Sequence, residues 1–274
     1  MRLLMFVAAM LSLLVLSPAA AMAQSATPAA TPAAAAPTLS PVIWELQAFV
    51  APDGSSSPVD QPGNYTLQVE ASGQTFLRAD CNRGFGHATI DGNAVALGDL
   101  GVSMMMCPDG SRDQEFLKGL SNAATWAYDN DALVLSAADG SALRLSPTLS
   151  GVVWQWQRTQ MMNDTVVAPA DPARYTLEFS EDGKLVVQAD CNRAFGSFET
   201  DGPKIDIKAL GMTRMACPDG SMDVAFLQNL NDAVAHTFRD GRLYFDLPMD
   251  GGILEFSAVT PHQLEQEAAT PAAS

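Results

Sequence analysis

An internal duplication constrains the fold of this chain more than any other feature of its sequence. The octapeptide ADCNRGFG at 79–86 returns as ADCNRAFG at 189–196, displaced by 110 residues. The same displacement relates PTLSPVIW at 37–44 to PTLSGVVW at 147–154, so the repeat begins well before the octapeptide. A repeat this long, present in two copies, indicates two tandem globular domains rather than a solenoid.

The repeat also predicts the domain boundaries. We place a first domain (repeat 1) at 37–146 and a second domain (repeat 2) at 147–257. Residues 24–36 are rich in alanine, proline and threonine, which is typical of a disordered tether. The composition of 258–274 is similar, and we expect a disordered tail there.

The first residues of the chain predict export. Arg2 precedes an apolar run that ends in small residues, which is the pattern of a signal peptide over 1–23, cleaved near Ala23. The run is too short for a membrane span, and no later segment is apolar enough for one. No cysteine lies near the cleavage point, so we expect no lipid anchor. The predicted location is therefore the periplasm or the medium.

Charge and cysteine content limit the function further. The chain has 31 acidic residues against 15 basic ones, a net charge of −16, and this surface repels phosphate backbones. We therefore expect no nucleic-acid partner. An exported chain with four cysteines is expected to form disulfides, because its compartment is oxidising.

Hydrophobic periodicity predicts the elements of each domain. In repeat 2 the alternating YTLEF at 175–179 is followed by a turn at Asp182–Gly183 and by LVVQADC, whose alternation places Cys191 on the core face. A single segment has helical spacing in each repeat, with apolar residues at 116, 117, 120 and 124 and at 226, 227, 230 and 234. The predicted class is α+β: two tandem small domains, each a strongly curved antiparallel β-sheet with one packed helix.

These motifs resemble a known family. A strand that opens on tryptophan, then DCNR-x-FG, then a TRMACPD-type segment leading into a helix, is similar to the META domain, the family of the bacterial heat-shock protein HslJ. Repeat 2 is the closer match, with GMTRMACPDGS at 211–221, whereas repeat 1 has Met104 in place of Arg214. The resemblance implies the fold and a link to stress in the bacterial envelope, but no enzymatic activity.

The duplication predicts the disulfide pairing. Four cysteines allow three connectivities. A single ancestral domain had to pair its own two cysteines, so we expect bonds within each repeat, namely Cys81–Cys107 and Cys191–Cys217. Closing each loop should stabilise its domain by about 3–5 kcal/mol on the chain-entropy model.

The polar residues of the octapeptide have two interpretations. In the first they form a surface pocket for a polar ligand or a partner's peptide edge. In the second, which we favour, aspartate and asparagine bond the backbone of a turn, and arginine pairs with a carboxylate while its stem covers apolar surface. The candidate residues are Asp80, Asn82, Arg83, Asp190, Asn192, Arg193 and Arg214.

Neither a metal site nor a catalytic site is predicted. Met104, Met105 and Met106 precede Cys107, which would suit Cu(I), but only Met105 has a methionine counterpart in repeat 2, so we favour packing. No histidine is common to both repeats, and no nucleophile or phosphate-binding motif occurs. We predict no cofactor.

The sequence leaves four functions open. The main hypothesis is a non-catalytic envelope protein, active in stress, that binds a protein or peptide partner through its tandem domains. The alternative is a carrier of a small apolar molecule, enclosed between sheet and helix. A third possibility is a purely structural stress factor with no dedicated ligand, which the sequence does not separate from the first. A hydrolase with a pair of carboxylates has the least support in the sequence.

Overall fold

Alternating apolar and polar residues form nine strands and one α-helix in each repeat. The computed structural model describes residues 38–264, except the side chains of Ala209 and Asp250. The predicted signal peptide at 1–23 and tether at 24–36 lie outside these described residues. Repeat 1 contains, in chain order, β1 Trp44–Val50, β2 Ser56–Pro58, β3 Tyr65–Val69, β4 Gln74–Ala79, β5 Asn82–Asp91, β6 Ala94–Val102, α1 Asp113–Asn122, β7 Ala123–Asp129, β8 Ala132–Ala137 and β9 Ala142–Pro147.

Repeat 2 forms the same elements in the same order. They are β10 Val153–Gln160, β11 Val166–Val167, β12 Tyr175–Phe179, β13 Lys184–Ala189, β14 Asn192–Asp201, β15 Lys204–Met212, α2 Asp223–Asp232, β16 Ala235–Arg239, β17 Arg242–Asp246 and β18 Ile253–Val259. A helical turn at 261–264 follows β18. Residues 258–264, which the sequence placed in a disordered tail, therefore belong to the folded chain, and the rest of that tail lies outside the described residues.

Each sheet closes into a barrel, which goes beyond the curved sheet that the sequence predicted. In repeat 1 the strand order is β2-β1-β3-β4-β5-β6-β7-β8-β9, and β1 also pairs with β9. The register of β1 on β9 shifts between Leu46 and Ala48. The first half of β1 then pairs with β3 and the second half with β2. Closure leaves no long exposed strand edge. Repeat 2 closes in the same way through β10 and β18.

The helix and the aromatic side chains of the strands fill each barrel. The domains are mostly β, with α1 packed against β4, β6, β8 and β9. In repeat 2, Trp156 stacks on Phe226 of α2 with the ring centroids 5.1 Å apart. The largest fully buried side chains are Trp44, Trp126, Trp154, Trp156, Phe116, Phe226, Phe245, Phe256, Leu46, Leu67, Leu120 and Leu133. Among residues 38–264, no helix is long and apolar enough to cross a membrane.

Candidate functional site

The octapeptide forms the turn and the first half of the second strand of a tight hairpin in each repeat. Strand β4 ends at Ala79, Asp80 and Cys81 make the turn, and β5 begins at Asn82. Asp80 has φ 55° and its counterpart Asp190 has φ 56°, in the left-handed region that aspartate tolerates better than most residues. The turn therefore ends the strand earlier than predicted, and Cys81 and Cys191 lie in the turn rather than on the core face of a strand.

Two disulfides join these hairpins to the loops that lead into the helices. Cys81 is bonded to Cys107 with the Cα atoms 5.4 Å apart, and Cys191 to Cys217 with the Cα atoms 5.5 Å apart. Both bonds lie within a repeat, as the duplication argument requires. Two disulfides indicate an oxidising, extracellular compartment.

Asn82 connects the hairpin, the cysteine loop and the helix. Its Oδ1 accepts hydrogen bonds from the backbone N of Met105 at 2.8 Å and from the hydroxyl of Ser103 at 3.0 Å. Its Nδ2 donates to the backbone O of Met105 at 3.2 Å and to Oδ2 of Asp113 at 3.3 Å. Asn82 is buried, so these bonds replace the water that its amide loses on folding.

Asn192 repeats this arrangement in the second barrel. It bonds the backbone N and O of Met215, the hydroxyl of Thr213, and Oδ2 of Asp223 at 2.9 Å. The carboxylate of Asp223 lies at the start of α2, where the helix dipole favours a negative charge. The two asparagines therefore join the hairpin to the cysteine loop and the helix, rather than bonding the backbone of their own turn.

The two aspartates of the octapeptide are also engaged by the scaffold. Backbone N of Asp80 donates to the O of Asn64 at 2.7 Å, and its backbone O accepts from Nε of Arg78 at 3.0 Å. The carboxylate of Asp190 is almost fully buried and forms an ion pair with Arg174. Repeat 1 has Asn64 at the position of Arg174, so the ion pair occurs in repeat 2 alone.

The arginine side chains of the octapeptide face solvent, on the opposite side of the strand from the buried asparagines. Along β5, Asn82 is buried and Arg83 is exposed, and the alternation continues to Phe85, which is 67% exposed. In repeat 2, Arg193 is exposed and Phe195 is 55% exposed. The same polar stretch therefore holds the scaffold with one side and presents an arginine and a phenylalanine to solvent with the other.

A bulge follows the exposed phenylalanine in both repeats. The register between β5 and β6 shifts between Phe85 and His87, and the register between β14 and β15 shifts between Phe195 and Ser197. A Cβ on Gly86 would lie 2.8 Å from Cδ2 of Leu100 and 3.1 Å from two backbone oxygens, so the bulge requires glycine for close approach. Bulges of this kind fix the direction of a neighbouring side chain.

The register places six side chains of each repeat on one outward surface, which we call the Arg–Phe face. Residues directly opposite each other on paired strands share a side of the sheet. The pairs that define the face are Thr66–Arg78, Arg78–Arg83, Gln68–Phe76 and Phe76–Phe85 in repeat 1, and Thr176–Gln188, Gln188–Arg193, Glu178–Val186 and Val186–Phe195 in repeat 2.

Each Arg–Phe face borders a depression. The first depression, of about 690 Å³, is lined mainly by repeat 1 and also by Thr148, Ser150 and Glu181 of repeat 2. The second, of about 670 Å³, is lined by repeat 2 and by Leu264. Glu45 lies on the rim in repeat 1, and burial raises the pKa of its carboxyl, with a smaller contribution from the charge of Glu181. Nε of Arg193 donates to Oε1 of Gln188 at 2.8 Å, which orients that guanidinium.

The loop after β6 differs between the repeats. Met104 is 96% exposed and Met106 is fully exposed, while Arg214 is also exposed and forms no hydrogen bond or ion pair within residues 38–264. The backbone of Met105 is fixed by Asn82, as described above. Within the same residues, no three histidine, cysteine, aspartate or glutamate side chains form a cluster that could hold a metal ion.

Sequence reasoning missed two pairs of residues. Asp113 and Asp223 accept hydrogen bonds from the buried side-chain amides of Asn82 and Asn192. The sequence feature that could have identified them is their shared position, two residues after the serine of CPDGS in both repeats. Phe85 and Phe195 stand inside the octapeptide itself, but a phenylalanine in a strand is expected to face the core.

Comparison with known proteins gives one family. A family model of the META domain matches residues 37–150 and 147–258. No curated protein matches the chain.

Solved structures similar to part of the chain include a protein from Burkholderia xenovorans determined by NMR. It has 24% sequence identity and a TM-score of 0.37, and the match covers 41% of this chain and 84% of that one. A second is the crystal structure of a duf4847 family protein from Bacteroides vulgatus ATCC 8482, with 14% identity and a TM-score of 0.31. That match covers 40% of this chain and 93% of the other.

Proposed function

The chain belongs to the META domain family in both of its repeats, and on this premise we propose that it is a non-catalytic binding protein. Each barrel holds a polypeptide partner on its Arg–Phe face. The partner carries apolar side chains for Phe85 or Phe195 and acidic side chains for Arg83 or Arg193.

One observation carries this proposal: an exposed phenylalanine stands two residues after an exposed arginine at the same place in both repeats. Aromatic and arginine side chains are the residues that most often dominate binding energy at protein interfaces. The hairpin that presents them is fixed by a disulfide and a buried asparagine, so little conformational entropy is lost when a partner binds.

Several features support a non-catalytic role. The polar groups turned inward, Asn82 and Asp113 with their counterparts, are bonded to each other and to the scaffold. The histidines His87, His236 and His262 occupy positions that the repeats do not share. Burial lowers the pKa of His236, which keeps its imidazole neutral beside Phe238.

The alternative, a carrier of a small apolar molecule inside the barrel, has less support. The space between sheet and helix is occupied by side chains, among them Trp156, Phe226 and Phe256 in repeat 2. Admitting a ligand there requires these aromatic rings to leave their packed positions, at a cost of several kcal/mol.

The proposal also includes where the protein is located and in which cellular process it acts. The two disulfides and the apolar N-terminal segment support export to the periplasm or the medium, with removal of residues 1–23. The resemblance to the heat-shock protein HslJ supports a role during envelope stress.

The test is capture of partners by photocrosslinking in living cells under heat stress. A photoreactive amino acid replaces Gln74, beside the Arg–Phe face of repeat 1, or its counterpart Lys184 in repeat 2. Each probe is placed in the natural protein and in a double variant, Phe85→Ser with Phe195→Ser. We expect the double variant to lose captured polypeptides, with affinity for a purified partner falling about thirtyfold or more for a hot-spot residue.

The matched control is Met162→Ser, which removes an apolar side chain that is 68% exposed, against 67% for Phe85, and lies outside both octapeptides. It should leave capture unchanged. The proposal fails if the double variant captures the same polypeptides with the same yield as the natural protein. The two single variants then report whether one face or both are used.

A further inference from the structure

A cleft between the two repeats is distinct from both Arg–Phe faces. It has a volume of about 690 Å³, within the range of sites that bind small molecules. Repeat 1 contributes 38–41, the turn at 70–73, Ala88, Ile90 and Gly92. Repeat 2 contributes Asp240, Gly241, Arg242 and Ser257, and Ala258 and Gln263 follow it. We call this space the inter-repeat cleft.

The walls of the inter-repeat cleft are held in place by specific bonds. The hydroxyl of Tyr128 accepts from the N of Ser40 at 2.8 Å and donates to the O of Thr38 at 3.1 Å. Burial raises the pKa of Tyr128 to about 12, so this hydroxyl keeps its proton. Nε2 of Gln68 donates to the O of Pro41 at 2.8 Å, and the N of Asp240 donates to the O of Asn130 at 3.1 Å.

Glu70 is the unusual group in this cleft. Its residue surface is only 9% exposed, and among residues 38–264 its carboxylate has no hydrogen bond or ion pair. Its backbone N and O are used in the turn, where they bond Gln74 and Gly73. The corresponding turn of repeat 2 has Ser180, which is exposed. The fold shared by the repeats therefore does not require this carboxylate, and the walls of the cleft are what enclose it.

The charge of the cleft is negative. Glu70 and Asp240 line it, and the only lining cation among the described residues, Arg242, donates to Oε1 of Glu255 at 2.6 Å. A bound cation would give the carboxylate of Glu70 the charged partner that it lacks among residues 38–264. Leu39, Ala88 and Ile90 add apolar surface to the same cleft.

We propose that the inter-repeat cleft binds a small organic cation, whose ammonium group pairs with the carboxylate of Glu70 and whose hydrocarbon part contacts Leu39 and Ile90. A metal ion fits less well, because the cleft offers one enclosed carboxylate rather than three or more ligands. An organic amine needs one charged partner and apolar surface, and both are present.

The test uses benzylammonium and its neutral analogue benzyl alcohol as probes, with binding to the full protein followed by NMR titration. We expect benzylammonium to bind about tenfold more tightly than benzyl alcohol, with shifts at residues of the cleft. Glu70→Gln should abolish this preference, and Ser72→Trp, which fills the cleft from an exposed position, should weaken both probes. Glu178→Gln, which removes a carboxylate outside the cleft, should leave the binding of both probes unchanged.

The proposal is overturned if neither probe shifts resonances of the cleft, if the two probes bind equally, or if Glu70→Gln retains the preference for benzylammonium. Thermal unfolding of Glu70→Gln and Ser72→Trp shows whether each variant is folded. If Ser72→Trp is unfolded, the comparison of Glu70→Gln with Glu178→Gln decides the outcome alone. The result does not depend on the Arg–Phe faces, because Phe85→Ser with Phe195→Ser should bind benzylammonium normally.

Discussion

Replacing Asn82 by alanine tests the scaffold role of the octapeptide. The substitution removes three hydrogen bonds of 2.8–3.2 Å to Met105 and Ser103, each worth about 1 kcal/mol net, and one to the carboxylate of Asp113, worth about 1.5 kcal/mol. Water can replace part of this near the exposed rim of the loop. We therefore expect repeat 1 to lose about 3 kcal/mol, a large share of the roughly 5–15 kcal/mol that stabilises a domain.

Hydrogen exchange measured by mass spectrometry is the suitable assay, because its peptides report each repeat separately. Protection should fall in peptides of β4, β5 and α1 and stay unchanged in repeat 2, which serves as an internal control. Arg83→Ala changes the next residue along the chain, but its side chain points to solvent, so its effect should stay within about 0.5 kcal/mol.

A second variant, Asn82→Asp, sharpens the test. It keeps the shape of the side chain but places a second carboxylate where the amide donated to Asp113, and neither group can then donate at neutral pH. The pair is expected to hold a proton more tightly when folded than when unfolded. Its destabilisation should therefore be present at pH 7, shrink as the pH falls through the raised pKa of the folded pair, and be smallest below the unfolded value of about 4. An alanine variant as stable as the natural protein, or equal loss of protection in both repeats, would refute the reasoning.

Three further predictions concern other parts of the structure. Tyr128→Phe should cost about 1 kcal/mol and speed exchange at 38–43, because the hydroxyl that bonds Ser40 is lost. The variant should still fold, because phenylalanine stands at the equivalent position 238, and unchanged protection at 38–43 would contradict the prediction. Burial, and secondarily Glu181, raise the pKa of Glu45, so stability should fall as the pH rises through that pKa. Glu45→Gln should remove this fall; if the denaturation midpoints of the natural protein and Glu45→Gln differ by the same amount at pH 4 and at pH 7, the prediction is wrong. Reducing both disulfides should lower the stability of each repeat by about 3–4 kcal/mol, and equal urea midpoints with and without reductant would argue against it.

The sequence predicted the local elements because their signals are local. Alternation in 175–179, the turn at Asp182–Gly183 and the helical spacing around Phe226 all depend on neighbours in the chain. Closure of the barrel depends on pairing β1 with β9, about a hundred residues apart, and alternation alone does not say which distant strand a given strand meets. The prediction therefore stopped at a curved sheet.

The candidate site was predicted as a set of residues but not as two opposite surfaces. The octapeptide was identified, but the expected bonds to the backbone of its own turn are not what holds its asparagine: Asn82 bonds Ser103, Met105 and Asp113, which are distant in the chain. The buried partner of Asn82 is Asp113, which lies 31 residues further on, so no local pattern joined them. The direction of the Arg83 side chain depends on where β4 ends and β5 begins. The turn begins two residues earlier than predicted, and this difference places the cysteine in the turn rather than on the core face of the strand.

The pairing of the first strand of each barrel with its last strand means that the chain leaves a domain beside the point where it entered. A copy of the gene segment could therefore be joined to the end of the first without stretching either product, and residues 148–152 suffice to connect Pro147 to Val153. Tandem growth by this route requires no long spacer, so an array of three such barrels would be as accessible to the ancestral gene as the pair seen here.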